Sequence, residues 1–121
     1  MVSYKFPKCR RISKSKEFIR VREKGQIIQN KYFKMIFSRR ENIDESSRLG
    51  IIVSKKFGNS VRRNKIKRLI REAFRLIYPN LKIGFDLIII VRMGADNPKF
   101  GYVDQYLREL LKNSGILETQ K

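Results

Sequence analysis

The sequence predicts an α+β fold, an α/β sandwich in which a small mixed sheet packs against helices, within one domain spanning residues 1–121. Segments with helical spacing of apolar residues alternate with short segments rich in β-branched and aromatic residues. Hydrophobic residues make up 41% of the chain and are spread along its length, which is enough for one core. The predicted order is helix, strand, strand, helix, strand, helix.

The first elements are an arm and a helix. Residues 1–13 are rich in Lys and Arg and predict an extended basic N-terminal arm. A helix is expected from Ser13 or Ser15 to Lys24, because Gly25 is a typical stop.

Two strands are expected next. Residues 32–37 are a short aromatic and apolar run, which favours a strand over a helix, and residues 49–54 predict a second strand. Alternation would leave one face of the first strand available, and that face carries Tyr32, Lys34 and Ile36. The polar residues 40–47 suit an exposed hairpin connection, so we expect the two strands to be antiparallel neighbours.

The second half contains the strongest helical signal. Asn59 or Ser60 is expected to cap a helix that Pro79 ends. Its buried stripe comprises Ile66, Leu69, Ile70, Ala73, Phe74 and Ile77. Residues 86–91 predict a central strand, residues 94–101 a loop, and residues 103–111 a last helix that stops at 113–115.

The charge of the chain indicates a polyanionic partner. The 29 Lys and Arg residues against 11 Asp and Glu residues give a formal net charge of +18. Nucleic acid is favoured over anionic lipid, because Trp is absent and no long helix pairs a basic face with a wide apolar one.

Composition also excludes several kinds of chemistry. Histidine is absent and Cys9 is the only cysteine, which excludes Ser/His/Asp and Cys/His catalysis, a Cys/His zinc site and an intrachain disulfide. The longest apolar run, residues 87–91, is too short for a membrane span, and no secretory signal is expected. We therefore expect a cytoplasmic protein with no membrane contact and no small-molecule substrate.

The segment over residues 54–75 contains nine Lys and Arg residues against a single acid, Glu72. A face of one charge sign repels itself, so an external counter-charge such as RNA phosphate is expected; a merely soluble surface is the alternative. Asn64 lies within this stripe and could bond a base edge or a phosphate. A second candidate surface combines Phe18 with Lys34 and Tyr32, as in proteins that grip single strands by stacking and charge, although each aromatic could equally belong to the core.

Residues 48–56, RLGIIVSKK, followed by residues 58–72, GNSVRRNKIKRLIRE, resemble the signature of the bacterial ribonuclease P protein component. The resemblance covers nearly the whole chain and implies a left-handed βαβ crossover, contrary to the usual right-handed preference. It also implies two partners, a catalytic ribonuclease P RNA and precursor tRNA, whose 5′ leader the holoenzyme removes by hydrolysis. The RNA is expected to hold the Mg²⁺ that the holoenzyme requires, and the protein is expected to supply no catalytic residue and no metal site.

The resemblance assigns two sets of residues by position. The expected RNA-subunit contacts are Lys55, Lys56, Asn59, Arg62, Arg63, Asn64, Lys65, Lys67, Arg68 and Arg71. The expected leader-binding cleft comprises Phe18, Arg22, Lys34, Ile36 and Arg92. Lys65 replaces the usual arginine, which keeps the charge but loses a bidentate phosphate contact. Arg22 and Ile36 replace common aromatic residues, so the cleft should hold the leader with more charge and less stacking.

Two other functions compete with this interpretation. A ribosomal or ribosome-associated RNA-binding protein would share the size, the charge and the location. A self-sufficient nuclease would need its scattered acids to converge on metal ions, the candidates being Glu17, Asp86, Asp96 and Asp104.

Overall fold

A computed structural model describes residues 10–92 and 99–117 of the chain. The helices are α1 (Ser15–Lys24), α2 (Ser60–Ile77) and α3 (Phe100–Asn113). The strands are β1 (Gln26–Gln29), β2 (Phe33–Arg39), β3 (Arg48–Ile52) and β4 (Phe85–Val91). The α+β class and the predicted order are confirmed, apart from β1, a short and mostly exposed strand whose sequence gives little signal.

The four strands form one mixed sheet in the order β1-β2-β4-β3. β1 and β2 are antiparallel, β2 and β4 are antiparallel, and β3 and β4 are parallel. The expected antiparallel pairing of the two strands before α2 is therefore wrong, because β4 lies between β2 and β3. β4 is apolar on both faces, with Ile88 and Ile89 fully buried, and only a central position covers both faces.

The connection between β2 and β3 is also not a hairpin loop. The backbone N–H of Arg40 donates to Gly84 O over 2.7 Å, and the N–H of Gly84 donates to Glu45 O over 2.8 Å. These bonds hold the connection across the chain segment that enters β4. Residues 41–46 are exposed as expected, whereas Ser47 is buried, and the connection bridges over a strand.

Helices cover both faces of the sheet. α2 and α3 enclose the larger core cluster, which includes Phe33, Met35, Phe74 and Leu107. α1 covers the other face, where Ile12, Val21, Ile36 and Ile88 form a smaller cluster. The sandwich predicted from the sequence is confirmed.

The βαβ unit β3–α2–β4 places α2 between two adjacent parallel strands. The Asn59 side chain accepts a hydrogen bond from the N–H of Arg62 over 3.0 Å, so the predicted cap is confirmed, and α2 ends at Ile77 ahead of Pro79. The left-handed sense of the crossover remains a prediction from the resemblance.

Two boundaries differ from expectation. α3 begins at Phe100, so Gly101 is helical and the predicted loop is too long at its end; residues 94–98 lie outside the described part. Ile12, in the predicted arm, is buried, and its N–H donates to Leu49 O over 2.9 Å at the outer edge of β3. The end of the arm is therefore part of the fold, and residues 1–9 lie outside the described part. Within the described residues, no helix is long and apolar enough to cross a membrane.

Candidate nucleic-acid interface

On its exposed side, which we call the basic side of α2, the helix presents cations that have no counter-charge among the residues that the structure describes. Asn64, Lys65 and Arg68 are exposed, and Arg63, Lys67 and Arg71 are half-buried. Within residues 10–92 and 99–117, no carboxylate oxygen lies within 4 Å of the cationic groups of Arg63, Lys65, Lys67, Arg68 or Arg71. The Nε of Arg63 is buried without a hydrogen-bond partner among these residues. Arg75, by contrast, is paired with Glu72, with Nη2 and Oε1 2.6 Å apart.

The turn before α2 adds cations at the positive end of the helix dipole. Lys55 and Lys56 are exposed in a short 3₁₀ turn that buried Phe57 anchors to the core. Gly58 has a φ of 157°, and a Cβ there would come within 2.9 Å of Cδ of Arg62. Glycine at position 58 thus lets the Arg62 side chain lie close to the turn that begins α2. The nearby cations and the positive end of the helix dipole together suit a bound phosphate.

Helix α1 crosses the sheet and leaves part of its face uncovered. The strand register aligns Gly50, Ile88 and Ile36 in one row beneath α1. The ring of Phe18 lies so close to β3 that a Cβ on Gly50 would be 2.6 Å from Cε1 and from Cζ.

The next row, Lys34, Ile90 and Ile52, lies beside α1 and is only half-buried. It forms the floor of a shallow groove, which we call the sheet groove. Phe18 and Arg22 lie on its α1 side. Arg92 lies at the end of β4, where its Nη1 donates to Asn30 O over 2.5 Å.

The five residues predicted to form the leader-binding cleft differ in how far they are exposed. Arg22 and Arg92 are exposed, and Phe18 and Lys34 are half-buried. Ile36 is 4% exposed beneath α1 and offers almost no surface to a ligand.

The residues that sequence reasoning missed are Ile52 and Ile90, which both line the groove floor. Both lie within uniformly apolar runs, residues 51–53 and 87–91, so identifying the half-buried row requires the strand register and the position of α1.

Tyr32 does not share a face with Lys34 as expected. It precedes β2, where the Asn30 side chain accepts hydrogen bonds from the N–H groups of Tyr32 and Phe33, over 3.1 and 2.9 Å, and interrupts the alternation. The Tyr32 ring instead packs on the α3 side, with its centroid 4.3 Å from that of Tyr106.

A buried ion-pair network holds α1 above the sheet. Nε and Nη2 of Arg48 donate to the two carboxylate oxygens of Asp86, each over 2.8 Å, and Nη1 of Arg48 pairs with Glu17 of α1. The hydrogen bond to Asp86 is the main cause of the raised pKa of Arg48. The network fixes the start of α1, and with it the position of Phe18.

The carboxylates proposed for a self-sufficient nuclease have other partners. Glu17 and Asp86 both bind Arg48, and Asp104 pairs with Arg108 on α3 over 3.0 Å. Asp96 lies outside the described residues. Among the residues that the structure describes, no three His, Cys, Asp or Glu side chains are placed to hold a metal ion.

Comparisons with known proteins agree on one family. A family model described as Ribonuclease P matches residues 6–115. The ribonuclease P protein component of Clostridium acetobutylicum is 36% identical over 107 residues, which cover 88% of this chain and 90% of the relative.

Solved structures give the same result. The RNase P protein from Staphylococcus aureus superposes with a TM-score of 0.83 at 36% identity, covering 92% of this chain and 100% of that one. The RNase P protein from Thermotoga maritima gives a TM-score of 0.78 at 36% identity, covering 85% and 96%.

Proposed function

Since this chain belongs to the ribonuclease P protein family, we propose that it acts as the protein component of a ribonucleoprotein endonuclease that removes 5′ leaders from precursor tRNA. The RNA subunit carries out catalysis, and the protein activates it by binding. The observation that carries this proposal is the basic side of α2, where Arg63, Arg68 and Arg71 have no carboxylate partner among the described residues, next to the sheet groove.

The basic side of α2 and the turn before it bind the RNA subunit. Asn64 and Arg68 lie one helical turn apart and are exposed, so they can contact adjacent phosphates or base edges. The cations screen phosphate repulsion between the RNA subunit and the substrate, and less Mg²⁺ is then needed to fold and dock the two RNAs.

The sheet groove binds the single-stranded leader. Its floor of Ile52 and Ile90 offers apolar surface to bases or sugars, while Lys34, Arg22 and Arg92 supply positive charge along its length. Phe18 is the one aromatic residue of this set. A leader contact of this kind favours precursor over mature tRNA, because only the precursor has a leader to bind.

The metal chemistry belongs to the RNA subunit in this proposal. Hydrolysis of the phosphodiester needs Mg²⁺ held by oxygen ligands, and the pairing of Glu17, Asp86 and Asp104 with arginines supports a protein without that role. The partners are the catalytic RNA and precursor tRNA, and the cytoplasm is the compartment where both are found.

The test is cleavage of a 5′-extended precursor tRNA by a bacterial ribonuclease P RNA at low Mg²⁺, with and without this protein, beside the protein alone. We expect strong activation only when RNA and protein are combined. Arg68→Glu should reduce the activation, whereas Lys112→Glu, the same charge change on α3, should not. Absence of activation, with tight binding to ribosomal RNA instead, would contradict the proposal, and cleavage by the protein alone would contradict the division of roles.

A further inference from the structure

A small pocket lies at the outer edge of β3, separate from the floor of the sheet groove. It has a volume of about 120 Å³ and is lined by residues from four parts of the fold. Arg11 comes from the arm, Phe18 from α1, Gly50 and Ile51 from β3, and Arg71 from α2. The pocket therefore lies where the sheet groove, through Phe18, meets the basic side of α2, through Arg71.

Two arginines line this pocket, one at the edge of the sheet and one on α2. Arg11 forms a parallel bridge with Leu49 at the edge of β3, and Arg71 reaches the same edge from α2. Their proximity has an electrostatic consequence, because the pKa of Arg71 is lowered first by burial and then by the positive charge of Arg11. The fold thus brings two like charges together in a partly desolvated place.

Neither guanidinium is neutralised by the part of the protein that the structure describes. No described carboxylate lies within 4 Å of Arg11 or Arg71, because Glu17 pairs with Arg48 and Glu72 pairs with Arg75. The Nε of Arg11 is buried and has no hydrogen-bond partner among the described residues. A buried donor without a partner and two unbalanced charges are costly to a folded protein, and an oxyanion relieves both costs.

We propose that Arg11 and Arg71 form a clamp for one phosphodiester of the precursor tRNA leader, where the leader passes from the sheet groove over the edge of β3. The phosphate accepts from both guanidinium groups, and Phe18 and Ile51 contact the adjoining sugar or base. This inference rests on the proposed function and adds to it a defined phosphate site. It also assigns Arg71, expected from the resemblance to contact the RNA subunit, to the leader.

The clamp predicts opposite effects on stability and on binding. Arg71→Gln removes the repulsion with Arg11, so the melting temperature of the free protein should rise or stay unchanged. The same change should weaken binding of a leader-containing precursor about tenfold, as expected for loss of one charge-assisted contact to phosphate. If Arg71 merely stabilised the fold, Arg71→Gln would lower both the melting temperature and the affinity for precursor tRNA.

The decisive experiment uses the holoenzyme and precursor tRNAs with one neutral methylphosphonate linkage at successive leader positions. With the wild-type protein, one position should weaken binding about tenfold. In the double variant Arg11→Ala, Arg71→Ala, a methylphosphonate at that position should no longer weaken binding. In the control Lys112→Ala it should weaken binding as it does with the wild-type protein. Mature tRNA should bind all these proteins equally.

Three results would overturn the clamp: no sensitive position, a sensitive position that persists in the double variant, or equal weakening of mature and precursor tRNA. A parallel measurement with the isolated protein and a single-stranded leader oligonucleotide removes the dependence on the holoenzyme. If the protein fails to activate the RNA subunit but the double variant still weakens oligonucleotide binding selectively, the proposed function fails and the clamp stands. If activation is normal and the double variant binds the oligonucleotide like Lys112→Ala, the clamp alone fails.

Discussion

At Gly50 the absence of a side chain determines where an aromatic ring can lie. The Phe18 ring covers this glycine on the α1 side of β3, and the same ring borders both the sheet groove and the arginine pocket. A methyl group at position 50 would be 2.6 Å from two ring carbons, closer than a real Cβ contact allows. Any larger residue must therefore displace Phe18 or α1.

Gly50→Ala should weaken binding of leader-containing precursor tRNA several-fold and leave binding of mature tRNA unchanged. The displaced ring should also lower the free energy of unfolding by about 1–3 kcal/mol, the usual cost of overpacking. Equilibrium binding to the two RNAs and urea unfolding measure both effects. Gly101→Ala is the matched control, because nothing lies within 4 Å of a Cβ there and its helical position should gain up to about 1 kcal/mol. Equal behaviour of the two variants would contradict the packing argument.

The sequence reveals a local partner more readily than a distant one. The Asn59 cap was predictable, because the side chain and the N–H that it accepts from are three residues apart. The Arg48–Asp86 pair joins residues 38 positions apart, and nothing in the sequence links them. For the same reason Asp86 was weighed as a metal ligand, whereas the fold assigns it to an ion pair.

Asp86→Ala should be among the most destabilising single changes in this protein. It leaves the charge of Arg48 half-buried without its main partner, which typically costs about 3–5 kcal/mol of unfolding free energy. Asp104→Ala breaks a more exposed pair with Arg108 and should cost less than about 1 kcal/mol. Urea unfolding of both variants measures the difference, and similar losses would show that the buried network is not what holds α1.

Among the elements, the helices were predictable and the strand pairing was not. Each helix has a periodic apolar stripe and a local stop signal, so α1 and α2 match their expected ends closely. Strand pairing depends on which strand is apolar on both faces and must therefore lie in the centre of the sheet. That strand is β4, which lies between β2 and β3, so the connection from β2 to β3 has to pass over it. The groove floor depends on this pairing, which is why Ile52 and Ile90 could not be predicted, whereas the cations of α2 share one helix and are visible in the sequence.

Helix α2 should give the protein a small pH-dependent contribution to stability. The hydrogen bond from Arg75 lowers the pKa of Glu72 below its ordinary value of 4.5. A lowered folded-state pKa adds stability that is fully present above the unfolded value and is lost as the pH falls through the folded value. Wild-type protein should therefore exceed Glu72→Gln in stability above about pH 4.5, by less than about 1 kcal/mol, since the pair is partly exposed.

Thermal unfolding of wild type and Glu72→Gln across pH 2.5–7 would measure this contribution, and the two curves should converge at the acid end. A constant offset at all pH values would assign the effect to packing instead of ionisation. Because Glu72 is the only acid of α2, the variant should also bind RNA slightly more tightly at neutral pH.

The charge distribution of the whole molecule depends on which arginines its acidic residues pair with. Of the acids considered above, Glu17 and Asp86 both pair with Arg48, Glu72 pairs with Arg75 and Asp104 pairs with Arg108. No described carboxylate lies within 4 Å of Arg68, Arg71 or Arg11, so the basic side of α2 and the pocket between Arg11 and Arg71 keep their charge. The proposed RNA-binding surfaces therefore carry part of the formal net charge of +18 without a described carboxylate to balance it. The two proposed binding surfaces, the sheet groove beside α1 and the basic side of α2, meet at the pocket that Phe18 and Arg71 both line.

This arrangement predicts that the two RNA partners differ in their salt dependence. Binding of the RNA subunit through the side of α2 should engage about six to ten phosphates, so its affinity should fall by roughly 10³ to 10⁵ between about 50 and 200 mM salt. A leader oligonucleotide in the sheet groove contacts fewer cations and an apolar floor, so its affinity should fall less steeply with salt.

The measured quantity is the slope of the logarithm of affinity against the logarithm of salt concentration. Arg68→Glu should lower this slope by at least about one unit for the RNA subunit and leave it unchanged for the leader oligonucleotide. Lys112→Glu should alter neither slope, because Lys112 lies in the last turn of α3, shortly before the Leu81–Leu117 bridge near the start of β4, whereas Lys55 follows the end of the parallel strand β3. If Arg68→Glu changed both slopes equally, the two RNAs would share one continuous surface, and the division between groove and helix would have to be abandoned.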